Sequence, residues 1–286
     1  MKNRKSKLNA QKAAVIAIRY FIEQYKKEEV GGMTLKIPPP IRVPKNHQFV
    51  GREKEKADLF CSLDAGLNPV IISSAGQGKT SLVNEVAKES GRPVYVLNGH
   101  EDLTAESLLT EITPTGSGQF EYVVQPLLAA VISGGILVID EINRLNDSAM
   151  ASLYSLLDAR RTVSSSIFGM TFKAAEGFSM FGLANPFPTP LLPAADQRLR
   201  PILKWRDYTP AEVLEIVNSL ESLTDSRLDE AYKRVVANRK SIPVRSALTI
   251  LKLARTSQAS NPERDPDEII SFAVDAVLNV NFTEGL

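Results

Sequence analysis

The chain has 286 residues, 43% of them hydrophobic, and a formal net charge of +1. That length supports one large core, or a large and a small one, and the near-neutral charge does not suit a protein built to coat nucleic acid. A single cysteine, Cys61, excludes an intrachain disulfide and fits a reducing, cytoplasmic setting. It reads as a small buried hydrophobe, and with only His47 and His100 beside it a structural zinc site is not expected.

Met1 to Lys7 is basic, but the apolar patch that follows, Ala13 to Ile18, is cut by Arg19 and leads to no cleavage site, so a signal peptide is not expected. No apolar run approaches a membrane span. Leu8 to Lys27 reads as a helix, with Ala13, Ile16, Ala17, Tyr20 and Phe21 at helical spacing. Gly31-Gly32 ends it, and Pro38-Pro39-Pro40 and Pro44 make an extended linker. Phe49-Val50-Gly51-Arg52-Glu53 then precedes a helix from about Lys54 to Leu63. An apolar pair followed by glycine lets a backbone approach a flat base, so Val50 and Gly51 are candidates for an adenine contact.

Pro69 to Ile72 has the branching and length of a buried strand. It breaks at Ser73-Ser74-Ala75-Gly76-Gln77-Gly78, and Lys79-Thr80-Ser81 opens a helical stretch carrying Leu82, Val83, Val86 and Ala87. Strand, small-residue loop, Lys-Thr and helix is the layout of a phosphate-binding P-loop. The loop's backbone N–H groups, from Ser74 to Ser81, wrap phosphate oxygens, and the helix N-terminus adds partial positive charge. Lys79 would reach the β- and γ-phosphates, and the Thr80 hydroxyl would ligate Mg²⁺. Ser73 stands where the motif has glycine.

Further strands are expected at Val94 to Leu97, ending at Asn98, and at Ile136 to Ile139, ending in Asp140-Glu141. Phosphoryl transfer needs a carboxylate near the metal and a group that orients the attacking water. Asp140 suits the first role and Glu141 the second. A third strand, Phe178 to Ala184, ends at Asn185-Pro186, where an amide is available for the γ-phosphate or the water. In a parallel sheet these strand ends share one rim with the P-loop.

This order of motifs resembles the AAA+ ATPases, over roughly Phe49 to Arg255, and most closely the MoxR-like group with its relatives acting on metalloenzymes, gas vesicles and restriction systems. Ser73 to Thr80 resembles Walker A. Ile136 to Glu141 resembles Walker B, extended by the string D-E-I-N-R from Asp140 to Arg144. Leu183 to Pro186 resembles the sensor 1 segment, with Asn185 as the sensor. Leu192 to Leu199 resembles the family's L-P-E-A-x-x-D-R-F with one residue deleted, and Gln197 and Leu199 replace its Asp and Phe. Arg198 then takes the arginine-finger position, with Arg200 as its rival. Ser241 to Ser246 resembles the sensor 2 segment, with Arg245 as the sensor and Ile242 and Val244 interposed. Asn98 stands where some relatives hold the catalytic glutamate inactive. Two inserts, within Leu103 to Val124 and from Arg160 to Ala174, resemble hairpins that in the family face a pore, which makes Phe120, Tyr122 and Phe168 candidate substrate contacts.

Pro201 to Trp205 reads as a last strand, followed by four helices. Thr209 is expected to cap the first, with Pro210 in its first turn; the second runs from about Ser226 to Ala237. Ser241 is expected to cap the third. Asp265 is expected to cap the fourth, whose apolar face carries Ile269, Phe272, Ala273, Ala276 and Val277. The expectation is therefore an α/β chain: a helix and linker over 1–45, a P-loop AAA+ core with a parallel sheet over 46–206, and a small all-α lid over 207–286. The resemblance implies Mg²⁺-dependent ATP hydrolysis with Glu141, Asn185, Arg198, Arg245 and Lys79 as catalytic residues. It also implies a homo-oligomeric, hexameric ring that remodels a separate protein. MoxR-like proteins commonly work with a protein bearing a von Willebrand factor A domain; no such domain follows in this chain, so that partner is expected to be another polypeptide. Two alternatives stand beside this reading: a nucleic-acid-linked AAA+ motor of restriction or replication type, supported by the basic start, and a nucleotide-gated scaffold with little turnover, supported by Ser73.

Overall fold

Four apolar runs become neighbouring strands of one parallel sheet. The computed structural model describes residues 34–114, 120–186 and 198–278; the helix expected over 8–27, Gly116 to Gln119 and Leu192 to Gln197 lie outside them. In chain order the strands are β1 (Thr34–Lys36), β2 (Val70–Ile72), β3 (Val94–Asn98), β4 (Thr110–Pro114), β5 (Phe120–Val124), β6 (Ile136–Asp140), β7 (Thr162–Ser165), β8 (Met170–Lys173), β9 (Ser179–Ala184) and β10 (Ile202–Lys204). The helices are α1 (Glu53–Asp64), α2 (Lys79–Ser90), α3 (Pro126–Ser133), α4 (Asp147–Leu157), α5 (Pro210–Glu221), α6 (Arg227–Ala237), α7 (Val244–Ser260) and α8 (Pro266–Leu278). Two compact units result. The larger takes the chain up to His47, Lys54–Ile72 and Ser81–Trp205, and the smaller takes Gln48–Glu53, Ser73–Thr80 and Arg206 onward.

The larger unit holds the sheet, in the order β10-β2-β9-β6-β3 with every pairing parallel. Parallel strands covered on both faces read as continuous apolar runs, and Ile136 to Ile139 and Ser179 to Ala184 are buried throughout. Glycine permits two close approaches. Gly134 ends α3 at φ 67°, where a Cβ would stand 2.2 Å from the Glu176 carbonyl oxygen. Gly182 leaves room on β9 for Ile142, whose side chain would meet a Cβ at 2.8 Å. Cys61 is exposed, a correction to the buried position expected. Leu59, Ser62 and Leu63 form the inward face of α1, and Cys61 lies off it.

Both inserts are antiparallel hairpins, β4–β5 and β7–β8. The three-residue strand β1 joins β5 in parallel. Thr34 to Lys36 is too short, and too near the prolines, to show a period in the sequence. Glu106 fastens the inserts together: its carboxylate accepts hydrogen bonds from the Ser165 hydroxyl, from the Ser166 backbone and hydroxyl, and from the Ile167 backbone. Burial opposes the charge on Glu106, but these donors outweigh it and hold its carboxyl below the ordinary glutamate range. Phe168 lies 5.7 Å from the Tyr122 ring and 5.9 Å from that of Phe172, whereas Phe120 is 53% exposed.

The smaller unit gathers α5 to α8 around Val213, Tyr232, Ile250, Leu251, Ile269 and Ala273. Thr209 and Glu212 form a reciprocal capping box at α5, and Arg206 together with these hydrogen bonds draws the Glu212 carboxyl down to about 2. Ser226 caps α6, and the Asp265 side chain accepts from the backbone of Asp267 and Glu268. Ser241 does not cap α7, which begins at Val244 after Pro243. Proline biases the residue before it away from helix, so the turn starts two residues later than expected. On α8 the buried stripe is Ile269, Ile270, Ala273 and Val274; Phe272 and Ala276 are exposed, and Arg264 lies 5.6 Å from the Phe272 ring.

One buried carboxylate ties this unit together. Asp229 accepts from the Thr224 backbone and hydroxyl, both at 2.8 Å, and from Arg255 at 3.0 Å. Burial opposes its ionisation, yet Arg255 and Thr224 outweigh burial and hold its pKa below the ordinary value. A carboxyl with a depressed folded pKa contributes stability above its unfolded pKa and loses it as pH falls through the folded one. We expect Asp229→Asn to cost about 2–4 kcal/mol at neutral pH. Its stability should fall less steeply than wild type below about pH 4, as read by urea denaturation across pH. Parallel acid limbs in the two proteins contradict this.

Candidate functional site

A small-residue loop leaves β2 at Ile72, and in the smaller unit it is anchored by its one large polar residue. Gln77 is buried, and its Oε1 accepts from the Tyr208 backbone at 3.2 Å and from Arg52 Nη2 at 3.4 Å. Arg52 also donates to the Arg206 carbonyl at 2.7 Å, and its guanidinium lies 4.0 Å from the centre of the Tyr208 ring. Gly76 and Gly78 adopt φ of 75° and 88°, as a loop turning its N–H groups inward requires. A Cβ on Gly76 would stand 2.7 Å from Pro243 Cβ and 3.7 Å from Arg245 Cβ, so Arg245 stands beside the loop. Val50 packs on the helical core, and Gly51, at φ 81°, faces Tyr208 and Ile216.

Lys79 is folded back onto the loop. Its Nζ donates to the Ser73 and Ser74 carbonyls at 2.6 and 3.1 Å, and lies 3.3 Å from the Ser73 hydroxyl. Ser73, the departure from the motif, is thus one of the groups that orient the ammonium. Phosphate oxygens are stronger acceptors than these neutral oxygens and can displace them. Thr80 and Ser81 are exposed at the start of α2.

In the larger unit, register lines up the other candidates. Asn98 pairs with Asp140 across β3 and β6, Ile139 with Gly182, and Ala184 with Ile72. Asn98, Asp140-Glu141 and Asn185 therefore leave the sheet at the edge where β2 ends. Gly99 N–H donates to the Asp140 carbonyl at 2.7 Å, and Asp140 Oδ1 accepts from the Glu141 backbone at 3.0 Å. Glu141 sits at φ 54°, ψ 40°, a conformation that costs a non-glycine residue about 1–3 kcal/mol and gathers at functional sites. Its carboxylate pairs with Arg144 at 2.8 Å. Arg198 is exposed, with its guanidinium 4.6 Å from the centre of the Tyr154 ring.

The structure thus groups Val50, Gly51, Ser74 to Thr80 and Arg245 in one unit, and Ser81, Asp140, Glu141, Asn185 and Arg198 in the other. Sequence reasoning gave no role to Arg52, Gly99, Arg144, Tyr154 or Tyr208. Gly99 had a readable signal, a glycine directly after a polar strand end. Arg144 pairs with Glu141 at i,i+3, a local spacing, while Arg52, Tyr154 and Tyr208 act through tertiary contacts that carry none.

Residues 70–203 match the family model described as AAA domain (dynein-related subfamily). The chain is similar to the uncharacterized protein SSP1341 of Staphylococcus saprophyticus, 24% identical over 261 residues that span 83% of this chain and 99% of that protein. It is also similar to the uncharacterized protein SAUSA300_1302 of Staphylococcus aureus, 29% identical over 183 residues, 62% of this chain and 70% of that one. Among solved structures, the Thermotoga maritima RuvB Holliday junction branch migration motor superposes with a TM-score of 0.56 at 22% identity, over 82% of this chain and 72% of that chain. The fold is the P-loop AAA+ fold, a parallel central sheet with helices followed by a C-terminal helical region.

Gly99 offers a direct check on the acidic turn. A Cβ there would stand 2.6 Å from the Glu141 carbonyl oxygen and 3.1 Å from that of Asp140, a backbone clash that no rotamer relieves. We expect Gly99→Ala to destabilise the fold by about 1–3 kcal/mol in chemical denaturation. A variant as stable as wild type contradicts this packing.

Proposed function

We propose that this chain is an ATPase: it binds Mg²⁺·ATP, hydrolyses it, and uses the cycle to remodel or activate a partner protein. The observation that carries the reading is the strained Glu141, set directly after Asp140 at the end of β6 and flanked along the sheet edge by Asn98 and Asn185. The AAA-domain match over 70–203 supports it. In this reading Ser74 to Ser81 wrap the phosphates, Lys79 neutralises the β- and γ-oxygens, Val50 and Gly51 border the base, and Arg245 reads the γ-phosphate. Residues 46–206 act as the nucleotide-binding core and 207–286 as its lid.

The Mg²⁺ donors are hard oxygens, as that ion demands. Thr80 is exposed, and Asp140 has Oδ1 engaged by the Glu141 backbone; the Thr80 hydroxyl and the Asp140 carboxylate would hold the ion, directly or through water. The ion would neutralise charge on the transferred phosphoryl group. Glu141 orients and deprotonates the attacking water, Asn185 holds the water or the γ-phosphate, and Arg198 completes the site of an adjoining subunit. A finger given in trans requires an oligomer, and the family resemblance makes it a hexameric ring. The D-E-I-N-R string favours the MoxR-like group and a separate protein substrate, which for that group commonly carries a von Willebrand factor A domain.

The test is Glu141→Gln. We expect it to bind ATP with wild-type affinity and to release phosphate roughly 100-fold more slowly or worse. Wild-type turnover in that variant, or no measurable turnover in the parent protein, defeats the proposal. A second reading, a nucleic-acid-linked motor, is favoured by the structural likeness to a branch migration motor. It requires DNA or RNA to bind with a steep salt dependence and to stimulate phosphate release. A rate indifferent to both leaves protein remodelling as the reading.

A further inference from the structure

A carboxylate that takes a proton from water needs an oxygen to offer and a direction to point in. In the larger unit both are already engaged at Glu141. Its backbone is fixed, because the 3₁₀ turn that follows, Ile142–Arg144, is seated by Ile142 and Leu145, both buried in the core. Ile142 fills the space left by Gly182 on β9, and the Arg144 backbone donates to the Glu141 carbonyl at 2.8 Å. The carboxylate is drawn along the same turn, where Arg144 Nη1 donates to its Oε2 at 2.8 Å. The two side chains are 51% and 40% exposed, so this ion pair holds only weakly. A second carboxylate stands within electrostatic reach of the same guanidinium. Glu101 is exposed on the loop after β3, and Glu141 first, then Glu101, hold Arg144 above the ordinary arginine range. That loop is tied to the turn: the side-chain amide of Asn146, the residue capping α4, donates to the Glu101 and Leu103 carbonyls, both at 2.7 Å.

We propose that Arg144 is a two-position switch over Glu141: paired with the Glu141 carboxylate it keeps the base from the attacking water, and paired with Glu101 it releases it. This rests on the reading above, in which Glu141 activates the water. The backbones of both acids are anchored, so the long Arg144 side chain is the part that moves. An oxygen of Glu141 spent on the guanidinium is not offered to a water, and the ion pair also sets the way the carboxylate points. The guanidinium keeps its charge at any working pH, so only its position changes. Both acceptors are exposed carboxylates, and neither position is held strongly. A nucleotide or a neighbouring protein that favours one position therefore shifts the population with little differential affinity.

The experiment uses the full chain, and compares Arg144→Ala, Glu101→Gln, the double variant and Glu141→Gln in steady-state phosphate release and ATP binding. Arg144→Ala should raise kcat roughly two- to five-fold, the range an exposed ion pair supports, with ATP affinity unchanged. Glu101→Gln removes the releasing position and should lower kcat by about the same factor. In the double variant the effect of Glu101→Gln should vanish, leaving the rate of Arg144→Ala. Merely structural roles would instead make the two factors multiply, and that result overturns the switch. Arg144→Ala at or below the wild-type rate, beside a slow Glu141→Gln, also overturns it while leaving Glu141 as the base. Glu141→Gln at the wild-type rate brings down the reading of Glu141 itself, and the switch with it.

Discussion

A parallel sheet lets every strand leave at the same edge, and this constraint governs the molecule. Asn98, Asp140 and Asn185 come from segments far apart in the chain, yet register alone sets them along one line with Ile72, the last residue before the lysine-bearing loop. No side-chain contact has to be specified to gather them. Side chains are needed for the finer step of aiming them. The Gly99 backbone grips the Asp140 carbonyl, and a Cβ at Gly99 would drive the two acidic residues away.

The smaller unit solves a different problem, how to hold a loop that must itself stay nearly free of side chains. Its one large polar residue, Gln77, turns into the protein and accepts two hydrogen bonds, while Arg52 spreads one guanidinium over Gln77, the Arg206 carbonyl and the Tyr208 ring. A buried amide oxygen with two donors is stable where an unpaired one would cost about 1–3 kcal/mol. The glycines are then free to present their backbone, and Pro243 and Arg245 approach as closely as the missing Cβ of Gly76 allows.

The sheet and the acidic pair were legible because they rest on runs and spacing: buried apolar segments, a small-residue loop before Lys-Thr, and carboxylates at a strand end. The caps at Thr209 and Asp265 were legible for the same local reason. Errors came where one residue displaced a local rule. Pro243 moved the start of α7 past Ser241, and the stripe on α8 turned far enough to leave Phe272 outside. Arg52 and Tyr154 were not legible, because their partners lie tens of residues away and leave no local pattern, whereas Arg144 stands within one turn of Glu141. Tyr122 and Phe168, read as candidate substrate contacts, lie against one another in the structure, with Phe120 exposed at the end of β5.

The carboxylate of Glu106 has a mechanical consequence. It ties the segment leading into β4 to the β7–β8 hairpin through four donors on Ser165, Ser166 and Ile167, and the Tyr122–Phe168 ring pair adds a second contact between the two hairpins. A push on either hairpin is therefore shared by both, as in a braced truss.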